Sequence, residues 1–220
     1  MNTPTNSTRI CIAVLFLICV TASSTAYADS LEKLFVFGHQ YALAKGRLET
    51  VAKWDRVVKE ETSFPTFTPE GLKKLNLPIV KEWEALREKI KDSAVSDQLK
   101  VVNVFFNRWP ARTDSEVWQK EDYWATPAEF FAHSGDTEDY AIVKYYALKA
   151  LGIPADNMRI AVVVNTVRDV GHAILLVKDQ GDILVLDNLS NLVLPSEKFL
   201  HYRPRYIVNE EGIWQMIDKK

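Results

Sequence analysis

The chain has 220 residues, 47% of them hydrophobic, 25% charged and 11% aromatic. That balance is the one of an ordinary globular domain and excludes the disordered, collagenous and polytopic membrane classes. Twenty-seven Lys and Arg against 29 Asp and Glu give a net charge of −2 with no like-charged block, so no nucleic-acid surface is expected.

Arg9 is the sole charged side chain among the first 28 residues, and it precedes the apolar run 10–20 and a small-residue stretch ending Ala26-Tyr27-Ala28. Basic start, apolar middle and A-x-A end follow the order of a secretory signal peptide, which predicts export and cleavage after Ala28. The apolar run is about half the ~20 residues that a membrane-crossing helix needs. Removing 28 of 220 residues and one positive charge leaves 192 residues, a net charge of −3 and no cysteine, since Cys11 and Cys19 both lie in the leader. An exported chain of this composition has no disulfide framework and no thiol nucleophile, and rests on its packed core.

From Ser30 to Arg108 apolar residues recur at helical spacing: Leu31, Leu34, Phe35 and Gly38, then Val51, Trp54, Val57 and Val58, then Leu99, Val102, Phe105 and Phe106. The pattern predicts a helical part over residues 29–108 with about four helices. Breaks are expected at Ser63-Phe64-Pro65, at Leu77-Pro78 and at Asp92-Ser93, with Ser93 or Ser96 capping the next helix. Arg47 and Trp54 share a face, as a buried pair or a partner surface. In the core part, residues 109–220, Trp118, Tyr123 and Trp124 crowd a polar loop, lining a groove or packing inward. Thr126-Pro127-Ala128-Glu129 has an N-cap, a proline in the first turn and a capping-box acid, predicting a short helix to His133. After the break at Ser134-Gly135-Asp136, residues 137–151 place Ala141, Ile142, Tyr145, Leu148 and Leu151 on one stripe, and Gly152-Ile153-Pro154 ends that helix. The period then changes to two. Runs at 160–164, 172–177, 183–187, 205–209 and 213–217 predict an antiparallel sheet packed on this central helix, an α+β fold.

Residues 174–177 and 183–186 flank a short glycine-containing loop and read as a hairpin. Pairing Ile174 with Val185 and Leu176 with Ile183 sets His172 opposite Asp187, within one residue of register. An imidazole oriented by a carboxylate is the base half of a nucleophile triad. The third member belongs where negative charge is favoured, at a helix N-terminus facing that end of the sheet, and Thr137 holds the position.

Several stretches carry a resemblance: Val102-Asn103-Val104-Phe105-Phe106-Asn107, the run from Asp122-Tyr123-Trp124 through Phe130, Gly135-Asp136-Thr137-Glu138-Asp139-Tyr140 and onward to Tyr145, Gly171-His172-Ala173, Leu186-Asp187-Asn188-Leu189, and Gly212-Ile213-Trp214. With these the sequence resembles the bacterial transglutaminase-like cysteine proteinases, the periplasmic LapG-type family. The resemblance implies a papain-like or transglutaminase-like core with a Cys-His-Asp triad, falling on residues 137, 172 and 187. It implies a large surface adhesin, cut near its N-terminus, as substrate, and an inner-membrane cyclic-di-GMP receptor of the LapD type as partner. It also implies calcium at the acidic helix start, on Asp136, Glu138 and Asp139. Carboxylates there complement the helix dipole in any case, and they are the oxygen donors that hard cations take.

The sequence departs from the family pattern Gly-Asp-Cys-Glu-Asp in one place, with Thr137 where the cysteine belongs. A thiol of pKa about 8.5 becomes a thiolate beside a helix N-terminus and an imidazolium, whereas an alkanol resists ionisation. The β-methyl group also restricts χ1 and favours hydroxyl bonds to nearby backbone. Losing the nucleophile of a triad costs on the order of 10⁶ in kcat. The expected function is a proteinase-fold protein that binds a peptide, adhesin segment or receptor without cutting it; the alternative is an endopeptidase that uses Thr137, His172 and Asp187. His39, His133 and His201 have no neighbours at zinc-site spacing, so no zinc centre is expected.

Overall fold

The computed structural model describes residues 32–45 and 51–218, besides Met1; the leader and Arg47 lie outside them. Residues 31–220 form one unit. Among the described residues, seven helices run in the order α1 (Val51–Ser63), α2 (Pro69–Leu75), α3 (Pro78–Ile90), α4 (Val95–Phe106), α5 (Asp114–Val117), α6 (Pro127–His133) and α7 (Thr137–Ala150). Eight strands, β1 (Glu32–Val36), β2 (His39–Lys45), β3 (Met158–Asn165), β4 (Val170–Asp179), β5 (Asp182–Asp187), β6 (Ser190–Pro195), β7 (Tyr202–Asn209) and β8 (Gly212–Asp218), form an antiparallel sheet in the order β1-β2-β8-β7-β3-β4-β5-β6.

The first part of the expected helical region is instead a hairpin that extends this sheet, β2 pairing with β8. Leu34 and Val36 are buried while Phe35 between them is 52% exposed, a period of two that the sparse apolar set Leu31, Leu34, Phe35 and Gly38 also fits at helical spacing. The turn decides it: Phe37 and Gly38 both have positive φ, 54° and 78°, which makes the two-residue turn of a tight hairpin. Beyond it, the helix breaks fall at Ser63-Phe64-Pro65 and Leu77-Pro78 as expected, and α2 and α3 each begin on a proline. At α4 the expected serine caps are not used. The helix starts after Ala94 without a side-chain cap, and Gln98 Nε2 donates to the Ile90 and Lys91 carbonyls at 3.1 and 3.0 Å, tying α4 to the end of α3.

α7 is central because it is buried all round. Every residue from Asp139 to Leu148 is buried, including the charged Asp139 and Lys144. On one side it meets α4 and α6, where Phe106 is wedged among the rings of Phe67, Trp83, Trp109 and Phe131. On the other it packs against β3, β4 and β5, through residues such as Ile160 and Leu175. Ile174, Leu176 and Val185 point to the opposite face, into a second core closed by Leu34, Val36 and Phe37 from the N-terminal hairpin and by Phe199 and Tyr202. β6, which sequence alone did not indicate, is a half-exposed edge strand whose Leu192 and Leu194 face solvent.

Candidate active site

β4 and β5 are joined by a two-residue turn, Gln180-Gly181, with both φ values positive, 49° and 97°. This turn sets Asp179 opposite Asp182 and Leu176 opposite Val185, two residues away from the register read off the apolar runs, which allowed for one. The five residues between the two runs, 178–182, are mostly strand, and the turn itself takes only two of them, with a twist that matches the strands. A shift of two preserves the face of every side chain, whereas a shift of one would invert it. His172 and Asp187 therefore still share a face, as diagonal instead of directly opposed neighbours. His172 Nε2 lies 2.9 Å from Asp187 Oδ1, and both residues are buried.

Asp187 is held from further sides. The Leu189 N–H donates to Oδ1 at 2.9 Å, and the Tyr202 hydroxyl donates to Oδ2 at 2.5 Å, with the Tyr202 ring 5.5 Å from that of His172. Burial alone pushes the Asp187 carboxyl up. The bond and charge of His172, with the Tyr202 and Leu189 bonds, outweigh it and hold the group below the usual carboxylate range. Tyr202 was not singled out by sequence, where it lies ahead of the run 205–209; in the structure it is the first residue of β7. Tyr202→Phe is expected to lower stability by about 1.5 kcal/mol, the loss of a hydrogen bond to a charged acceptor, measurable by urea denaturation at pH 7.

Thr137 is the first residue of α7 and half-buried. Its Oγ1 accepts from the Ala173 N–H at 3.1 Å, which brings the helix start against the residue next to His172. The hydroxyl proton goes to Glu138 Oε2 at 3.2 Å. Among the described residues no hydrogen bond joins Thr137 to the His172 ring.

The helix start is reached through the segment before α5. Arg112 N donates to the Gly135 carbonyl at 2.9 Å, and Ser134 Oγ donates to the Pro110 carbonyl at 2.5 Å. This brings Asp114, the first residue of α5 and not among the acids singled out by sequence, beside Asp136 and Glu138, with oxygen atoms of all three carboxylates within 4.8 Å of one another. Asp114 Oδ1 and Asp136 Oδ1 are buried without a hydrogen-bond partner. Burial and then the charge of Glu138 push Asp136 up to about 9, and burial likewise raises Asp114 and Glu138.

Asp139 does not join this group. Its carboxylate points inward, accepting from Ala125 N at 2.6 Å and Asp136 N at 3.2 Å, and it leaves no room at position 135 for anything but glycine, since a Cβ there would stand 2.0 Å from Asp139 Oδ2. The expected ligand Asp139 is thus a structural clamp on the helix start, and Asp114 stands in the cluster in its place.

Of the loop aromatics, Trp124 is core, edge-on to Trp54. Trp118 and Tyr123 stack at 4.6 Å, and Tyr123 Oη donates to Glu129 Oε1 at 2.7 Å within the capping box of α6. His39 and His133 are exposed, and His201 packs on Phe199 and Tyr202.

Residues 80–220 match the family model of the bacterial transglutaminase-like cysteine proteinases, BTLCP. The chain belongs to that family. LapG of Legionella pneumophila is similar in structure, with a TM-score of 0.56 and 31% identity over 72% of this chain and 87% of that one. Its calcium-bound form gives 0.57 at the same identity and coverage, and its EGTA-treated form gives 0.56 at 30% identity over 74% and 90%. No curated protein matches the chain significantly. The mixed helix and antiparallel-sheet architecture is accordingly the transglutaminase-like fold of this family, as expected from the sequence.

Proposed function

We propose that this chain is an exported, periplasmic LapG-type homologue that recognises an extended adhesin segment, or a membrane receptor of the cyclic-di-GMP-dependent kind, without cleaving it. The observation that carries this reading is the state of the Thr137 hydroxyl. Its proton is donated to the Glu138 carboxylate and not to the His172 ring, while the His172–Asp187 pair is intact and buried. A site that keeps base, acid and helix N-terminus but lacks an ionisable nucleophile retains the means to bind an acyl group without attacking it.

The acidic cluster supports a calcium ion. Three carboxylates converge, two of their oxygens lack any partner despite burial, and hard oxygen donors are what this cation takes. Asp114, Asp136 and Glu138 would hold it, and its charge would offset their mutual repulsion and fix the start of α7. Thr137 is tied to that start through Glu138, so the metal orders the binding site without entering any reaction.

The test is to incubate the protein with an N-terminal adhesin fragment and measure both binding and cleavage. Saturable binding with an intact fragment is expected. Cleavage that vanishes in His172→Ala would overturn the proposal in favour of a threonine endopeptidase.

A further inference from the structure

Lys144 lies about two turns along α7 from Thr137, on the same side of the helix, and is fully buried. A lysine at such a place costs stability relative to an apolar residue of similar volume, so its presence calls for a task. Its Nζ donates to Asn103 Oδ1 of α4 at 2.7 Å and to Oδ1 of Asn107, the C-cap of that helix, at 2.6 Å. An ammonium only donates, so it fixes which way both amides point, with each oxygen toward Lys144 and each NH₂ away from it. The two NH₂ groups meet the β5–β6 turn. Asn103 Nδ2 donates to the Ser190 carbonyl at 2.8 Å, and Asn107 Nδ2 donates to the Asp187 and Ser190 carbonyls at 2.9 and 3.0 Å.

We infer that Lys144 is a positioning residue: through the amides of Asn103 and Asn107 it clamps the backbone of the turn from Asp187 to Ser190, and so sets the carboxylate that orients His172. The inference rests on the triad reading of His172 and Asp187 given above. Four acceptor oxygens of one turn are anchored, with Tyr202 and Leu189 holding the Asp187 carboxylate, Asn107 holding the Asp187 and Ser190 carbonyls, and Asn103 holding the Ser190 carbonyl as well. Without the Lys144 side chain either amide is free to flip and present its oxygen to a carbonyl, which repels the turn.

The groups facing Lys144 are few: Asn103 and Asn107 from α4, the Tyr140 ring at 5.7 Å from its own helix, and the charge of Asp187 across the sheet. Burial brings Lys144 down to about 7, with Asp187 opposing. The neutral amine still has two N–H bonds to give, as many as the two amide oxygens accept, so the clamp persists on both sides of that value.

The experiment reads the His172 ring directly. Full-length protein labelled with ¹⁵N-histidine, its ring signals assigned with His172→Gln, is compared with Lys144→Met and with Asn107→Asp. The second variant leaves an acceptor for Lys144 but removes the donor to the turn, and it sits at the partly exposed end of α4, where folding is least at risk. The His172 Nε2–H bonded to Asp187 is expected to exchange slowly in the unmodified protein, and at least ten times faster in both variants at unchanged far-UV circular dichroism. Should Lys144→Met not fold, Asn107→Asp decides. An unchanged exchange rate in a folded variant overturns the clamp. A ring N–H that already exchanges freely in the unmodified protein instead overturns the His172–Asp187 pairing, and with it the triad reading.

Discussion

Thr137→Cys is expected to turn the chain into a peptidase, raising kcat/KM toward an adhesin N-terminal fragment by about 10⁶, the cost generally attached to a missing triad nucleophile. That factor corresponds to roughly 8 kcal/mol of transition-state stabilisation, and the helix start and the His172–Asp187 pair that would serve a thiolate are present. The α7 N-terminus supplies a partial positive charge, His172 is positioned by a buried carboxylate, and the Ala173 N–H already points at the side-chain atom of residue 137. On the proposed reading the hydroxyl is held back by two effects that reinforce each other: an alkanol does not ionise in this pH range, and its rotamer gives the proton to Glu138. A thiol escapes both, because the thiolate is the reactive species and no proton has to be passed in the transition state. In the Thr137→Cys background, His172→Ala should abolish the gain, and Asp187→Asn should reduce it by about 10⁴ by leaving the imidazole in the wrong tautomer. Measured turnover of the fragment with these four proteins settles the point. Comparable cleavage by the unmodified chain would show that the threonine is a working nucleophile.

What the sequence made legible and what it did not divide along physical lines. Local grammar was reliable. Thr126-Pro127-Ala128-Glu129 forms the predicted cap, with Glu129 N donating to Thr126 Oγ1 and Thr126 N to Glu129 Oε2, because those bonds close within one turn of chain. The central helix was legible for a related reason, since its apolar stripe and Gly-Pro stop need no knowledge of neighbours. The hairpin at residues 32–45 was misread because a handful of apolar residues satisfies both periods, and only the positive φ of Phe37, a residue that seldom takes it, reveals the turn. The His172–Asp187 pair survived a register error because the error was even. Tyr202, Asp114 and Lys144 were beyond reach for a common reason: each acts on a partner 15 or more residues away, and nothing in the chain between them records the contact. Asp139 shows the reverse failure. Proximity in sequence to Asp136 and Glu138 suggested a shared task, but a helix turns about 100° per residue, and one step along α7 points its carboxylate into the core instead of the cluster.

The acidic cluster yields the second large effect, read as a melting temperature that calcium and pH move in opposite directions. In metal-free solution Asp136 keeps a proton up to about pH 9 in the folded protein, whereas in the unfolded chain it releases it near 3.8, because burial and the charges of Glu138, Asp139 and Asp114 oppose its ionisation. Between those values the folded state binds more protons, so the stability this group contributes is complete below about pH 4 and is lost as pH rises through about 9. Calcium bound there would replace the proton as the neutralising charge, so its binding would release protons and strengthen as pH rises. At a calcium concentration a hundredfold above the Kd at pH 8 it should add about 2.7 kcal/mol, roughly 5–10 °C for a chain of this size, and less at pH 6 at the same concentration, where binding is weaker. Asp136→Asn and Asp114→Asn should each erase the calcium response and, in chelator, melt higher than the unmodified protein, since they remove a buried repulsion. Asp139→Asn should do the opposite on both counts. It sacrifices an acceptor for the Ala125 or Asp136 N–H and melts lower in chelator, yet keeps its response to calcium. Scanning calorimetry of these variants with and without chelator separates the three-carboxylate site from its neighbouring clamp, and loss of the calcium shift in Asp139→Asn alone would return that residue to the ligand set and remove Asp114 from it.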